Sequence, residues 1–366
     1  MVELIEKCRQ CFSRCYQSAG EVDHIIGYIV FEVLFFFYYY VKHYFPSTAA
    51  TVAKELVSAG RAEDFEKTKK DIWEWCTFYR YAPWEYSAYR FETKSKEERL
   101  KFYSDIERMK FGSIVNNITD WDKLDNKLKT YDLYKDAFRR DMICIRGEWD
   151  FSAFEKFCEG KSSFFAKPLV GSLGRNSGLI EIEGKDLHAI FDDLLKIGSY
   201  VLEDPIKQCP EMASLNPDSV NTVRIATLLS EDGNSVDILF SYVRCGRKGI
   251  SVDNSGAGGY LASVDPETGI VFTDGCDKHG YFVKTHPDTG VAFKGFTVPR
   301  YSEAKQLVTE LAKRLPSVRY VGWDLSVTSE AVVLVEANSF AQMSGCQFST
   351  GIGKADYFES FLRPKK

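Results

Sequence analysis

Histidine is scarce in this chain: His24, His43, His188, His279 and His286 are the only five among 366 residues. None belongs to a His-x-x-x-His pair, so a zinc enzyme is not expected. A large excess of either charge is also lacking. The net formal charge of −5 carries no basic footprint of the kind that marks a nucleic-acid binder. Glu3 and Glu6 stand where a secretory leader would have its basic and apolar stretches, so no cleavable leader is read there. The ten cysteines are spread without a tight framework. They read as reduced thiols of a cytoplasmic protein. Cys8, Cys11 and Cys15 lie on one helical face with no histidine or fourth cysteine nearby, which favours core packing over a metal cluster.

Aromatic residues are abundant, with 27 Phe and 20 Tyr. The length suits two or three domains with substantial cores. Residues 25–45 are almost wholly apolar up to Pro46, but Glu32 interrupts them and tyrosines cluster near their end. A buried or oligomer-facing helix, as in a homodimer, is favoured there. Peripheral membrane contact and a bilayer span stay open behind it. Residues 49–70 show helical spacing, and Trp73, Trp75, Phe78 and Tyr79 read as core. Pro83 breaks that pattern. Ser95 with Glu97 and Glu98 opens a further helix running through Phe102 and Ile106. A helix from Tyr131 to Arg139 and a strand from Met142 to Ile145 come next.

A glycine-rich hairpin then stands out. The strand Phe164 to Ala166 delivers Lys167, and Pro168 is expected to stop further pairing. Gly171, Ser172, Gly174, Arg175, Asn176, Ser177 and Gly178 follow, and then a strand from Leu179 to Ile182. Glycines let backbone N–H groups approach an anion, while Lys167 and Arg175 supply charge. Neither a Walker loop nor a Gly-x-Gly-x-x-Gly turn is present. Alone, the loop reads equally as a surface hairpin.

Downstream, residues 186–197 form an amphipathic helix with Leu187, Ile190, Phe191, Leu194 and Leu195 on one face. A strand running to Glu203, with Asp204 and Ile206 beyond it, suits an adenine grip, with Glu203 or Glu211 on ribose; a solvated strand end fits equally. Asn221 to Leu229 alternates as a strand, with Arg224 sharing a face with Thr222 and Ala226. The next strand, Asp237 to Val243, delivers Arg244 to a polar glycine-rich loop, Ser251 to Gly259. Two arginines beside such a loop can hold an anionic substrate or a transferring phosphate.

Residues 318–340 are the most informative. Asp324 alternates away from Val321, Trp323, Leu325 and Val327. A hairpin loop of Thr328 to Glu330 would set Asp324 opposite Leu334, with Glu336 diagonal to it and Asn338 at the exit. Glu336 ends a nearly solid apolar run, where an unpaired acid is costly. Oxygen-only donors of this kind favour Mg²⁺.

Taken in order, Lys167 with its loop, Glu203, Asn221-Thr-Val-Arg224, Asp253-Asn254 with Gly258-Gly259, Gly322-Trp-Asp324 and Glu336-Ala-Asn338 resemble the ATP-grasp superfamily. Within it, the chain looks most like the sugar-transfer-associated ATP-grasp family, found with polysaccharide biosynthesis genes. The match covers about residues 125–362, and the segment from Tyr79 to Phe91 is similar to that family's upstream region. The resemblance implies an α+β ATP-grasp fold, two lobes with antiparallel sheets clasping ATP, preceded by helices. The divisions read are a helical region 1–110, a small α/β region 111–160 and the ATP-grasp domain 161–366, with lobes of about 161–203 and 204–366.

The same resemblance implies site roles. Lys167 would bind nucleotide phosphate, with Gly171, Ser172, Gly174 and Arg175 closing over it. Glu203 and Ile206 would sit at the adenine hinge. Arg224, Arg244 and Asn254 would stand near the transferred phosphate or the acceptor. Asp324, Glu336 and Asn338 would hold Mg²⁺. Cys209-Pro210-Glu211 departs from the usual second hinge glutamate, so the ribose residue stays open. The chemistry implied is ligation of a small-molecule or sugar-linked carboxylate to an amine through an acyl phosphate. A kinase acting on a hydroxyl is the alternative. Contact with a lipid-linked substrate or a membrane surface is left open.

Overall fold

A computed structural model describes residues 46–169, 176–253, 256 and 258–363. Cys8, Cys11, Cys15 and the apolar stretch 25–45 lie outside the described residues. Two compact units divide the chain: the described parts of Met1–Lys110, Asn117–Thr119 and Gly353–Lys366, and those of Phe111–Asn116 and Asp120–Ile352.

The first unit is helical. Residues 49–70 are not one continuous segment: Pro46–Ser58 and Phe65–Tyr79 are separate helices. Gly60 takes a left-handed φ of 67° between them, and Asp64 caps the second by accepting from the Lys67 amide at 2.9 Å. Pro83 starts a helix rather than only ending one, since a proline at the first position forfeits no intrahelical bond. The helix expected from Ser95 through Ile106 is likewise two: a single capped turn, Lys96–Arg99, and then Asp105–Val115. Trp75 is buried against Tyr81 and Phe91, but Phe78 is 74% exposed, so only part of the aromatic run is core. Arg99 lies over the rings of Trp75 and Tyr86 and pairs with Asp71 at 2.9 Å. The chain's last described segment returns here, where the Ala355 amide donates to the Lys101 carbonyl at 2.9 Å.

The second unit holds two antiparallel sheets. The first has four strands, β1 (Met142–Ile145), β2 (Ser163–Pro168), β3 (Gly178–Glu181) and β4 (Tyr200–Glu203), in the order β1-β4-β2-β3. Pro168 closes the strand as expected: it stands opposite Tyr200 as the last residue of β2, and the ladder ends with it. Proline lacks only the N–H, and strand ends tolerate that loss. The helix Leu187–Ile197, capped by Asp186, buries Phe191 and Leu194 against this sheet with Phe154, Phe164 and Leu202.

The second sheet has seven strands in the order β11-β10-β5-β6-β7-β8-β9. They are β5 (Thr222–Leu229), β6 (Val236–Cys245), β7 (Tyr260–Val264), β8 (Gly275–Cys276), β9 (Phe282–Val283), β10 (Tyr320–Val327) and β11 (Val332–Asn338). Alternation splits β5 and β10 cleanly. Val223, Ile225, Val321, Trp323 and Leu325 join Val308 and Leu311 of the helix Tyr301–Arg314 in one core. Thr222, Arg224 and Asp324 are left on the opposite face.

The β10–β11 register differs from a three-residue hairpin. The Thr328 amide donates to the Ala331 carbonyl at 2.9 Å, and Val327 pairs with Val332. A bulge then leaves Val335 without an opposite number, so Asp324 faces Glu336 directly and Leu334 faces Leu325. A bulge adds one residue to one strand, which turns the expected diagonal into a cross-strand pair.

Candidate active site

Lys167 leaves β2 one residue before its end and meets Glu203, the last residue of β4, in an ion pair. Glu203 is only 2% exposed. Its other oxygen accepts from Arg140 Nη2 at 2.8 Å and Nε at 3.0 Å. Burial disfavours the Glu203 carboxylate, but Lys167 and Arg140 overcome that and hold its pKa below the usual glutamate value. The buried, doubly paired carboxylate rules out the solvated strand end. A ribose hydroxyl at Glu203 would have to compete with Lys167. Glu211 is exposed in the first turn of Pro210–Ala213, and Ile206 is half-buried.

Arg140 reaches further. Its Nη1 donates to the Leu334 carbonyl of β11 at 2.7 Å and to Phe138 at 3.0 Å. It thereby ties the four-stranded sheet to the seven-stranded one. Between them lies a cleft lined on its apolar side by Leu124, Phe138, Met142, Val201 and Val335. Lys127, Thr130, Lys167, Glu203 and Glu336 line its polar side. Apolar walls with a few convergent charges suit a flat base carrying phosphates.

Lys127 opens the helix Lys127–Phe138, which Asn126 caps by accepting from the Leu128 amide at 3.0 Å. Burial pushes Lys127 below the usual lysine value and Lys167 adds to that, while Glu336 and Glu203 oppose it. Lys127, Thr130 and Arg140 were missed as site residues. The available signal was Asn126, a capping residue that aims the first helical lysine.

At the Glu336 end of the cleft the second sheet presents its polar face. Arg224 grips Asp324 through two bonds of 2.5 Å. Arg244 Nη2 approaches the same carboxylate at 3.0 Å and its Nε lies 3.5 Å from Asp253. Asp324 is 1% exposed. Burial opposes its ionisation, but Arg224 and Arg244 hold its pKa below the usual aspartate value. Asn338 Nδ2 lies 3.5 Å from Asp324 Oδ2. Gly322 is required beside them, because a Cβ there would meet Ala341 Cβ at 2.4 Å and Arg224 Cδ at 3.3 Å.

The structure thus brings Lys167 to Glu203, and Arg224, Arg244 and Asn338 to Asp324, with Glu336 joining the two groups. Gly171, Ser172, Gly174, Arg175 and Asn254 lie outside the described residues.

Asp324, Glu336 and Asn338 offer only oxygen donors to a cation. Glu336 is half-buried and makes no ion pair among the described residues. No group of three or more His, Cys, Asp or Glu suited to a metal occurs among them either. Two carboxylates and an amide fit a hard cation that completes its shell with water and phosphate oxygens. Arg224 and Arg244 already hold Asp324, so they would share it with such an ion.

Two antiparallel sheets with a charged cleft between them and helices ahead of them define an ATP-grasp fold. The profile of the sugar-transfer associated ATP-grasp family matches residues 107–360, and the chain belongs to that family. No curated protein sequence matches it significantly. Among solved structures it is similar to the ATP-grasp ligase PsnB complexed with minimal precursor, Mg and ADP. That match has 12% identity and a TM-score of 0.41, over 70% of this chain and 65% of that one. It is also similar to D-alanyl-alanine synthetase A from Vibrio cholerae, at 12% identity and TM-score 0.42, over 66% and 63%. A third likeness is to N5-carboxyaminoimidazole ribonucleotide synthetase in its ADP complex, at 13% and TM-score 0.40, over 61% and 46%. The chain spans less than two thirds of the length of each of these.

Proposed function

We propose that the protein is an ATP-dependent ligase joining a carboxylate to an amine through an acyl phosphate, in the assembly of cell-surface polysaccharide or a related metabolite. One observation carries the reading: a cleft bearing Lys127 and Lys167 opens, at Glu336, onto the face that carries Asp324, Arg224 and Arg244. Phosphoryl transfer needs charge neutralisation and alignment more than a protein nucleophile.

In this reading the lysines hold the triphosphate, and the apolar wall from Leu124 to Val335 receives the base. Arg224 and Arg244 steady negative charge on the transferring group and on the acyl phosphate. Asp324, Glu336 and Asn338 would hold Mg²⁺, which supplies charge neutralisation at the β- and γ-phosphates. The substrate carboxylate attacks the γ-phosphorus, and ADP leaves. The amine then displaces phosphate and forms the amide.

The test uses the full chain with MgATP and a panel of carboxylates, hexuronic acids and D- and L-amino acids. The amines are amino acids, ethanolamine and glycinamide. ADP and phosphate release that needs both partners, with a hydroxamate trapped by hydroxylamine, supports the reading. A stable phosphorylated hydroxyl product would replace it with a kinase, and no turnover across the panel would overturn it.

A further inference from the structure

Asp253 lies in the Ser251–Gly259 loop and is built into the same charged face. It is 9% exposed. One of its oxygens, Oδ2, is anchored three ways: by the Thr222 amide at 3.1 Å, by the Thr222 hydroxyl, and by Arg244 Nε at 3.5 Å. Its other oxygen, Oδ1, takes no bond from any described residue. Arg244 joins it to Asp324, since one guanidinium touches both carboxylates. A carboxylate fixed at one oxygen, with no described residue bonded to the other, and linked through Arg244 to Asp324, is arranged for proton transfer.

We propose that Asp253 is the proton acceptor for the incoming amine, an inference that rests on the ligase reading above. The substrate ammonium gives one proton to Asp253 Oδ1. The freed lone pair attacks the acyl-phosphate carbonyl carbon and the C–N bond forms. The C–O bond to phosphate breaks with its electron pair left on the phosphate oxygen. The second nitrogen proton goes to the departing phosphate, and Asp253 returns its own to solvent.

The electrostatic surroundings agree. Burial raises the Asp253 pKa above the usual aspartate value, Arg244 opposes the rise and Asp324 adds to it. Across the face stand Arg224 on β5, Tyr242 and Arg244 on β6, and Asp324 on β10. A raised carboxylate is a stronger base once ionised.

The experiment compares wild type with Asp253→Asn, using MgATP, the panel carboxylate that turns over, and either the panel amine or hydroxylamine. Hydroxylamine is already neutral at pH 7.5 and needs no base. The expected result is a fall of about 10²–10⁴-fold in kcat with the amine and less than about 10-fold with hydroxylamine. MgADP affinity by calorimetry stays near wild type. In the variant the amine pH–rate profile loses the inflection due to Asp253 and instead rises with pH up to the pKa of the amine itself. Equal losses with both nucleophiles, or an unchanged pH profile, would overturn the assignment while leaving the ligase reading intact. A wild type without turnover would sink both.

Discussion

Asp324 and Glu336 face each other directly across β10 and β11, because the bulge leaves Val335 unpaired. Two carboxylates at one cross-strand position repel unless a cation or a guanidinium lies between them. Arg224 and Arg244 meet that need at Asp324, while Glu336 has no such partner among the described residues.

Glu336→Gln should therefore keep the fold and lose metal-dependent turnover, by about 10²-fold or more in kcat. ADP release measured against Mg²⁺ concentration checks this. Unchanged activity at low Mg²⁺ would remove Glu336 from the cation site.

Lys167→Ala should weaken MgATP binding by about 10-fold or more, the loss expected for a charge-assisted contact to phosphate. Arg140 still holds Glu203 in this variant, but the buried carboxylate loses its other partner, so some stability is lost as well. Calorimetric affinity equal to wild type would count against Lys167 as a phosphate ligand.

The glycine at 322 makes a separate prediction. In Gly322→Ala the new methyl would press on Ala341 and Arg224. The expected cost is about 1–3 kcal/mol of stability, together with reduced kcat from a displaced guanidinium. A thermal midpoint and activity equal to wild type would show that the backbone gives way freely.

Acid should unsettle the sheets through their buried acids. The Glu203 and Asp324 pKa values are held below their usual range. Each contributes stability that is complete above the unfolded values of about 4 and is lost as pH falls through the lower folded values. Glu203→Gln should flatten the decline below about pH 4. A thermal-midpoint profile as steep as wild type in that range would contradict it.

Much of the second unit was legible because it alternates. Val321, Trp323 and Leu325 against Asp324 gave β10 its two faces, and Asn221 to Leu229 did the same for β5. The motif residues at 167, 203, 224, 244, 324, 336 and 338 were found for that reason and by resemblance. Register was less legible. A bulge leaves no mark in a run such as Val332 to Val335, where every residue is apolar. Lys127 of the cleft and Arg140, which holds Glu203, were hidden too, because they come from segments more than 60 residues before Glu203 and carry no local pattern. In the helical unit, single turns such as Lys96–Arg99 were merged with their neighbours, since caps announce a start and say little about length.

Arg140 sets where the second unit can yield. One side chain holds Glu203 of one sheet and the Leu334 carbonyl of the other, close to the chain crossing from β4 to β5. Opening there would break charged, buried hydrogen bonds at once. The arginine therefore acts as a rivet: any shift of the four-stranded sheet against the seven-stranded one must pivot on this one side chain or break its bonds to Glu203 and to the Leu334 carbonyl.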